Sequence, residues 1–351
     1  MKKGLTKNER EVLFGLVKYP TLNDRRLSEK TKVKLSTITA IRRRLHSEGY
    51  FNTVKVPAVN RLGYELTVIG YGRFNPSASK DLRNRFAETM KKENGGLYYF
   101  LTSPDFFFHI SAARDYTSFR RWAEALEYKF ADTKLFGSSS RTSVILPFET
   151  TMQVKHFHYS RALGMPFGLE EEIDLEASFR KVNLRKLTKK ERTVLCGLVE
   201  YPELTDIALS EKIDASRQVI SSMKKKFETS GLIQTTRIVD LRKLGYEIYA
   251  FVHVRINPKT PLRLRTEGIR KTALAVPNFI HFSGNLESVI CSPYTKYEEY
   301  FKTRKEILSY YSHKGFLLGE PMVELIALGE AEIPINCDFS NLIEEGVGSI
   351  R

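Results

Sequence analysis

The chain carries one pattern twice, 182 positions apart. Residues 5–20 read LTKNEREVLFGLVKYP and residues 187–202 read LTKKERTVLCGLVEYP. The alignment runs without a gap to residues 76 and 258, and 28 of its 72 residue pairs are identical. Two copies of about 180 residues are too few and too long for a solenoid. The sequence therefore predicts a duplicated module whose copies share one fold.

Each copy opens with three helical patterns and a strand pattern. In the first copy, apolar residues recur at helical spacing over residues 8–19, 24–30 and 36–45, with Ser36 as the predicted N-cap of the third helix. Gly49 then supplies the left-handed residue that ends a helix. Residues 50–56 are rich in β-branched and aromatic side chains, so they predict a strand. This order indicates a winged helix-turn-helix, and in the second copy residues 216–229 give its third helix.

The charge of the chain favours a polyanionic partner. Lys and Arg number 56 against 41 for Asp and Glu, a net charge of +15. Residues 1–57 alone carry a net +9 and residues 185–239 a net +4. With Ile38, Ile41 and Leu45 facing inward, the outer face of the third helix presents hydroxyls and arginines, which suit base edges and phosphates. The inward positions stay apolar in the second copy while the outward ones change, which predicts two reading heads with different targets.

The predicted DNA-contacting residues lie on the second and third helices, the turn between them and the wing. In the first copy they are Arg25, Arg26, Lys32, Lys34, Ser36, Thr37, Thr39, Ala40, Arg42, Arg43, Arg44 and Lys55. In the second copy they are Ser216, Arg217, Gln218, Ser221, Ser222, Lys224, Lys225, Lys226 and Arg237.

Two longer stretches carry a family resemblance. They read LSEKTKVKLSTITAIRRRLHSEGYF followed by RLGYE, and LSEKIDASRQVISSMKKKFETSGLI followed by KLGYE. Both resemble the Lrp/AsnC (feast/famine) family of prokaryotic transcription regulators, with a third helix similar to that of MarR-type readers. The resemblance implies that each winged helix precedes a ferredoxin-like βαββαβ domain that dimerises and often binds small effectors. Strand patterns at 65–74, 96–102, 106–113 and 141–151, with helical patterns at 79–93 and 116–130, support this α+β fold, and the second copy repeats the order.

The predicted domains follow from these boundaries. They are a winged helix-turn-helix at 1–60, a ferredoxin-like domain at 61–154, a linker at 155–184 with a short helix at 170–180, a second winged helix-turn-helix at 185–242, a second ferredoxin-like domain at 243–335 and a tail at 336–351.

The resemblance also points to an effector site beside the hairpins of the ferredoxin-like domains. These residues are Ser103 and Asp105 in the first copy and Ser283, Gly284 and Asn285 in the second. A metal site is not predicted, because His156 and His158 have no Cys or carboxylate ligand nearby in the sequence.

These features predict a sequence-specific, double-stranded-DNA-binding transcription regulator in which one chain forms a pseudo-dimer. A small-molecule effector and further homo-oligomerisation fit the resemblance. No Walker A loop, GxGxxG, HExxH or GxSxG motif occurs, so the protein is predicted not to be an enzyme and to need no cofactor. Without a signal peptide or a long apolar run, it is predicted to be cytoplasmic with no membrane partner.

Two alternatives stay open. Siroheme decarboxylases resemble Lrp/AsnC proteins whose α/β modules form a tetrapyrrole site, and His109, Arg114, His253 and His281 are the candidates for such a site. The basic third helices argue against this enzyme. A plasmid replication initiator can also contain two fused winged helices, but the LGYE junction and the α/β modules argue against that class.

Overall fold

The computed structural model describes residues 4–137, 141–169 and 185–343. Within these ranges the helices are α1 (Lys7–Lys18), α2 (Asp24–Thr31), α3 (Leu35–Ser47), α4 (Lys80–Glu93), α5 (Tyr116–Phe130), α6 (Ser160–Phe167), α7 (Lys189–Glu200), α8 (Asp206–Ser210), α9 (Arg217–Thr229), α10 (Leu262–Ala275) and α11 (Tyr297–Lys314). The strands are β1 (Phe51–Pro57), β2 (Leu66–Arg73), β3 (Leu97–Thr102), β4 (Phe106–Ala113), β5 (Thr142–Pro147), β6 (Met152–His156), β7 (Ile233–Val239), β8 (Ile248–Arg255), β9 (Ile280–Ser283), β10 (Glu287–Tyr294), β11 (Met322–Ala327) and β12 (Glu332–Asn336). The helix predicted over residues 170–180 falls outside the described part of the chain. No helix in that part is both long and apolar enough to cross a membrane.

Both copies have the predicted α+β fold, a winged helix-turn-helix followed by a ferredoxin-like domain. The repeated opening is the first helix of each copy. In α1 the Thr6 hydroxyl accepts from the Glu9 backbone N–H while the Glu9 carboxylate accepts from the Thr6 N–H, and Thr188 and Glu191 do the same in α7. This capping box satisfies backbone donors that a helix start leaves free, so it fixes where the first helix of each copy begins.

The prediction of Ser36 as the N-cap of the third helix is wrong. Lys32 has a left-handed backbone (φ +58°) that ends α2, and α3 begins at Leu35 after an extended Lys34. Ser36 therefore lies inside the first turn. Gly49 has the predicted left-handed backbone after α3, with φ +67°.

The chain divides into two compact units, and each unit draws on both copies. The first unit comprises Met1–Thr53, Thr151–Ser178 and Thr235–Gly329. It contains α1–α3 and a five-stranded sheet of order β11-β8-β10-β9-β6. The second unit comprises Val54–Thr150, Phe179–Gln234 and Glu330–Arg351. It contains α7–α9 and a sheet of order β12-β3-β4-β2-β5.

The edge strands β6 and β12 each pair with the sheet of the other copy. The sequence predicts one final strand per ferredoxin-like domain, at 141–151 and 321–333, but the structure has two short strands at each place. β6 follows the first copy yet pairs with β9 of the second, and β12 ends the second copy yet pairs with β3 of the first. Each sheet is thus completed by a strand from the other copy. The alternation of apolar and polar residues predicts a strand but not its partner, because the partner is distant in sequence.

One face of each sheet packs against two helices. In the second unit, aromatic side chains such as Phe86, Phe100 and Phe107 form the core between the sheet and helices α4 and α5. In the first unit, Ile290 of β10 and Ile307 and Tyr311 of α11 lie in the corresponding core. Burying this apolar face is the main stabilising contribution to each ferredoxin-like domain.

Candidate functional site

Each third helix carries a basic triplet, residues 42–44 (RRR) in α3 and residues 224–226 (KKK) in α9. The first and last members of each triplet form ion pairs inside their own winged helix. Arg42 Nη1 lies 2.7 Å from Asp24 Oδ1, and the matching Lys224 Nζ lies 3.1 Å from Asp206 Oδ1. Each pair links the third helix to the start of the second. The charges of Arg42 and Lys224 therefore meet a carboxylate within the domain.

The last member of each triplet pairs with the capping-box glutamate. Arg44 Nη2 lies 2.5 Å from Glu9, and Lys226 Nζ lies 2.8 Å from Glu191 Oε1. The hydrogen bond from Lys226, ahead of that from the Thr188 backbone, lowers the pKa of Glu191 to about 2. Burial acts to raise the pKa of Glu9, but hydrogen bonds from Thr6 and Arg44 outweigh it and the pKa is lowered. The same two ion pairs thus occur in both copies, linking the third helix to the other two.

The middle members of the triplets, Arg43 and Lys225, are exposed. The remaining predicted contacts on the helices and turns are exposed too, apart from the half-buried Thr37. The two wing cations differ: Lys55 is 5% exposed and lies 2.6 Å from Glu228, while Arg237 is 7% exposed and donates to the Leu16 carbonyl. Neither wing cation presents its charge to solvent. DNA contact by the residues of this set stays a prediction.

The first predicted effector hairpin borders a polar cavity in the second unit. Ser103 lines a cavity of about 210 Å³ that Lys80, Arg83, Glu330 and Glu332 also line. Ser103 Oγ donates to Asp105 Oδ1 at 3.1 Å, so this side chain also tightens its own turn. Both signs of charge meet in this cavity, and effector binding there stays a prediction.

The second predicted hairpin adjoins a histidine–carboxylate pair in the first unit. Ser283 is buried and Asn285 exposed, and Gly284 N–H donates to the Glu287 carbonyl at 2.8 Å. The Glu287 carboxylate lies 3.4 Å from His253 Nε2 on the neighbouring strand β8. Hydrogen bonding to His253 and the charge of the exposed Arg255 lower the pKa of Glu287. An imidazole and a carboxylate so placed can hold and move a proton.

His109 and His281 have a different environment. Both are buried and lie on the helix-covered faces of their sheets, where burial lowers the pKa of each to about 3. The charge of Lys155, its cross-strand neighbour, further lowers the pKa of His281. Both imidazoles are therefore neutral at pH 7. Nδ1 of each is buried without a hydrogen bond from any described residue.

A glycine makes room for the His109 ring. Gly70 pairs with His109 across β2 and β4, and a Cβ added at Gly70 would overlap Nε2 of the imidazole. The ring also meets Trp122 edge-on, with centroids 5.8 Å apart. The corresponding pair in the second copy is Val252 and Ile290, so the histidine occupies space that aliphatic side chains fill there.

The structure does not gather the four tetrapyrrole candidates into one cluster within either unit. In the first unit, His253 and His281 lie on opposite faces of the sheet, since His281 shares a row with Val252 and not with His253. In the second unit, Arg114 follows β4, and its guanidinium lies 5.5 Å from the Tyr64 ring centre. Sequence reasoning missed the Glu287 carboxylate, although it stands two residues after the glycine hairpin.

The fold defines a class: a single chain with two modules, each a winged helix-turn-helix plus a ferredoxin-like domain. Solved structures that match nearly the whole chain include two of the siroheme decarboxylase NirDL. One matches 98% of this chain and 99% of its own at a TM-score of 0.53 and 10% identity. A second, in co-complex with an iron-uroporphyrin III analogue, matches 99% and 100% at a TM-score of 0.52 and 10% identity.

Transcription regulators match a shorter part. An AsnC family regulator from Agrobacterium tumefaciens covers 40% of this chain and 89% of its own, with 14% identity and a TM-score of 0.33. AsnC from E. coli covers 40% and 93%, with 13% identity and a TM-score of 0.33. No protein-family model and no curated protein matches the chain.

The predictions of a DNA-binding transcription regulator and of a protein that is not an enzyme are wrong in view of these matches. Two solved structures that match nearly the whole chain are of an enzyme. The misleading signal was the basic triplet, because two of its three charges in each copy pair with carboxylates of the same domain. A winged helix is a scaffold, and its presence does not fix a function.

Proposed function

We propose that this protein is a decarboxylase acting on a polycarboxylated, iron-containing tetrapyrrole. The observation that carries the proposal is the whole-chain match to siroheme decarboxylase NirDL, which includes both winged helices and both ferredoxin-like domains. The net charge of +15 supports it, because a tetrapyrrole with several acetate and propionate groups is itself a polyanion. The charge that predicted DNA thus suits this substrate as well.

The reaction requires the protein to bind the substrate and to supply one proton. In the decarboxylation of an acetate side chain, the bond between the methylene carbon and the carboxylate breaks and CO₂ leaves. The electron pair stays on the methylene carbon, which takes up a proton and becomes a methyl group. The protein must hold the remaining carboxylates, remove water from the reacting one and supply that proton.

We assign the proton to His253. The Glu287 carboxylate lies 3.4 Å from His253 Nε2, so the pair is placed to hold and deliver a proton, and the exposed Arg255 on the same strand as His253 offers a cation for a substrate carboxylate. His109 and His281 suit this role less well, because burial keeps both neutral at pH 7. Neither described cavity holds the macrocycle: volumes of about 60 and 210 Å³ fall short of the roughly 300–1,000 Å³ of a pocket for a drug-sized ligand.

The test has a binding step and a turnover step. Iron-uroporphyrin III or siroheme is titrated into the purified protein, and a shift of the Soret band with saturation at one or two equivalents is expected. The mixture is then incubated without oxygen, and mass spectrometry is used to look for the loss of 44 Da per acetate group. A native protein that binds neither compound overturns the proposal.

Two variants separate the roles of the histidines. His253→Gln is expected to keep tetrapyrrole binding and lower turnover about 10²-fold or more, since general acid catalysis contributes about 10²–10⁴-fold. His281→Gln is the matched control, a buried histidine of the same sheet without a carboxylate partner among the described residues, and it should keep turnover within about threefold. Equal losses in both variants would remove the assignment to His253 while leaving the decarboxylase reading intact.

A further inference from the structure

The second ferredoxin-like domain contains a small apolar cavity between its sheet and helix α11. The cavity has a volume of about 60 Å³. Aliphatic side chains of β8, β10 and β11 form its floor, among them Ala250, Val252, Ile290 and Val323, and Ile307 lies on the opposite side. All of these residues belong to the first unit, so the cavity is a feature of that domain alone.

The first ferredoxin-like domain fills the same place with larger side chains. The strand pairs Gly70–His109 and Val252–Ile290 correspond, and the buried pattern of α5 matches that of α11 with an offset of 181. By this alignment Trp122 replaces Thr303 and Ala123 replaces Arg304. The first copy thus has an indole where the second has open space, and a methyl group where the second has a cation.

The cavity lining offers few polar partners to a ligand. The Tyr311 hydroxyl bonds to Thr272 and donates to the Gly268 carbonyl at 3.1 Å, so it is already engaged. The buried Ser292 Oγ has no hydrogen-bond partner among the described residues, and most of the other lining side chains are aliphatic or aromatic. Most polar ligand groups would lose water there without gaining a partner, so the enclosed part of a ligand must be mainly apolar.

Arg304 supplies the one charged group of this lining. Its side chain lines the cavity, is exposed, and forms no ion pair with any described residue. A guanidinium without a carboxylate partner beside an apolar cavity complements an anion with an apolar tail. The volume limits that tail: an apolar cavity of about 150 Å³ can bind benzene, and this cavity is less than half that size.

We propose that this cavity binds a short-chain aliphatic monocarboxylate of about three to five carbons. The alkyl tail enters the space that Trp122 fills in the first copy, and the carboxylate pairs with Arg304. The site is independent of the proposed tetrapyrrole chemistry, because none of its lining residues belongs to the His253–Glu287 pair. It gives the second copy a ligand site that the first copy has closed.

Isothermal titration of the full chain with isobutyrate tests the proposal. Saturable binding at one site is expected for the native protein, and Arg304→Ala should weaken it at least tenfold. Lys305→Ala removes the next cation on the same helix and should change affinity less than twofold. Neutral isobutyramide, which has the same tail, should bind at least tenfold more weakly than isobutyrate.

Blocking the cavity gives a second test. Thr303→Trp introduces the residue of the first copy and should abolish binding, and Leu308→Phe is a smaller obstruction should the tryptophan disturb the fold. Folding of each variant is checked by circular dichroism and by tetrapyrrole titration. Unchanged isobutyrate affinity in Arg304→Ala, benzoate binding as tight as isobutyrate, or no binding of isobutyrate to the native protein would each overturn the proposal.

Discussion

The ion pair between Glu191 and Lys226 tests whether the basic third helix serves the fold. Glu191 accepts hydrogen bonds from the Thr188 backbone N–H at 3.0 Å and from Lys226 Nζ at 2.8 Å, and Arg185 lies 3.4 Å away. We expect Glu191→Gln to destabilise the second winged helix. The amide keeps the shape and the cap acceptor, but it loses the charge that faces two cations.

The magnitude follows from the pKa of the carboxyl. A lowering from 4.5 to about 2 corresponds to about 3 kcal/mol of stabilisation at neutral pH. Glutamine retains part of this through the cap, and Lys226 is 59% exposed, so solvent weakens its share. The expected cost of Glu191→Gln is therefore about 1–2 kcal/mol, and Lys226→Met should cost about 0.5–1 kcal/mol.

The sign of the pH dependence is fixed by the direction of the shift. Because the folded pKa of Glu191 lies below its unfolded value, the stabilisation is complete above about pH 4.5 and disappears as the pH falls towards 2. The difference in unfolding free energy between native protein and Glu191→Gln should therefore shrink over that interval. Hydrogen exchange measured on peptides from α7 and α9 reports this locally, which avoids treating a chain of several domains as two-state.

A double-mutant cycle supplies the control. Glu191→Gln with Lys226→Met should cost less than the two single changes added, by about 0.5 kcal/mol or more. Lys225→Met removes the exposed middle cation of the triplet and should leave exchange in α7 unchanged. Additive costs at neutral pH, or a cost of Glu191→Gln that is the same at pH 3 as at pH 7, would refute the reasoning.

Three further predictions concern the core around His109, the cysteine thiols and the His253–Glu287 pair. Gly70→Val should destabilise the first ferredoxin-like domain by about 1–3 kcal/mol because the new side chain displaces the His109 ring, and the pair Gly70→Val/His109→Ile, which copies Val252 and Ile290, should recover most of the loss. Urea titration followed by the fluorescence of Trp122, the chain's one tryptophan, measures both variants. Burial raises the pKa of the Cys291 thiol to about 12 and that of Cys337 above its usual range, so a thiol reagent should label the half-buried Cys196 first and the other two only after unfolding, as counted by mass spectrometry. Glu287→Gln should lower turnover in the proposed decarboxylation, because His253 loses the carboxylate, 3.4 Å from its Nε2, with which it can exchange a proton; turnover equal to that of the native protein would contradict this.

The sequence predicts the architecture well because the repeat and the helical periodicity are local signals. The bounds of α2 and the left-handed Gly49 follow directly from residue type and spacing. The exchange of β6 and β12 between copies is a matter of long-range pairing, so no local pattern predicts it. The ion pairs of the basic triplet are an intermediate case, because the sequence holds a signal for them that local patterns do not show. Their acidic partners Glu9 and Asp24 recur as Glu191 and Asp206 in the aligned copies.

Fusion of the two modules explains why their interiors can differ. In a homodimer of identical modules, any change at the sheet–helix interface appears twice, so a cavity opened in one copy is opened in both. In a single chain the positions are independent. One ferredoxin-like domain carries His109 and Trp122 in a filled core, while the other carries Ile290, Thr303 and Arg304 around open space. The core of the first ferredoxin-like domain can therefore stay fully packed. The second domain can bind a ligand without a matching loss of stability in the first.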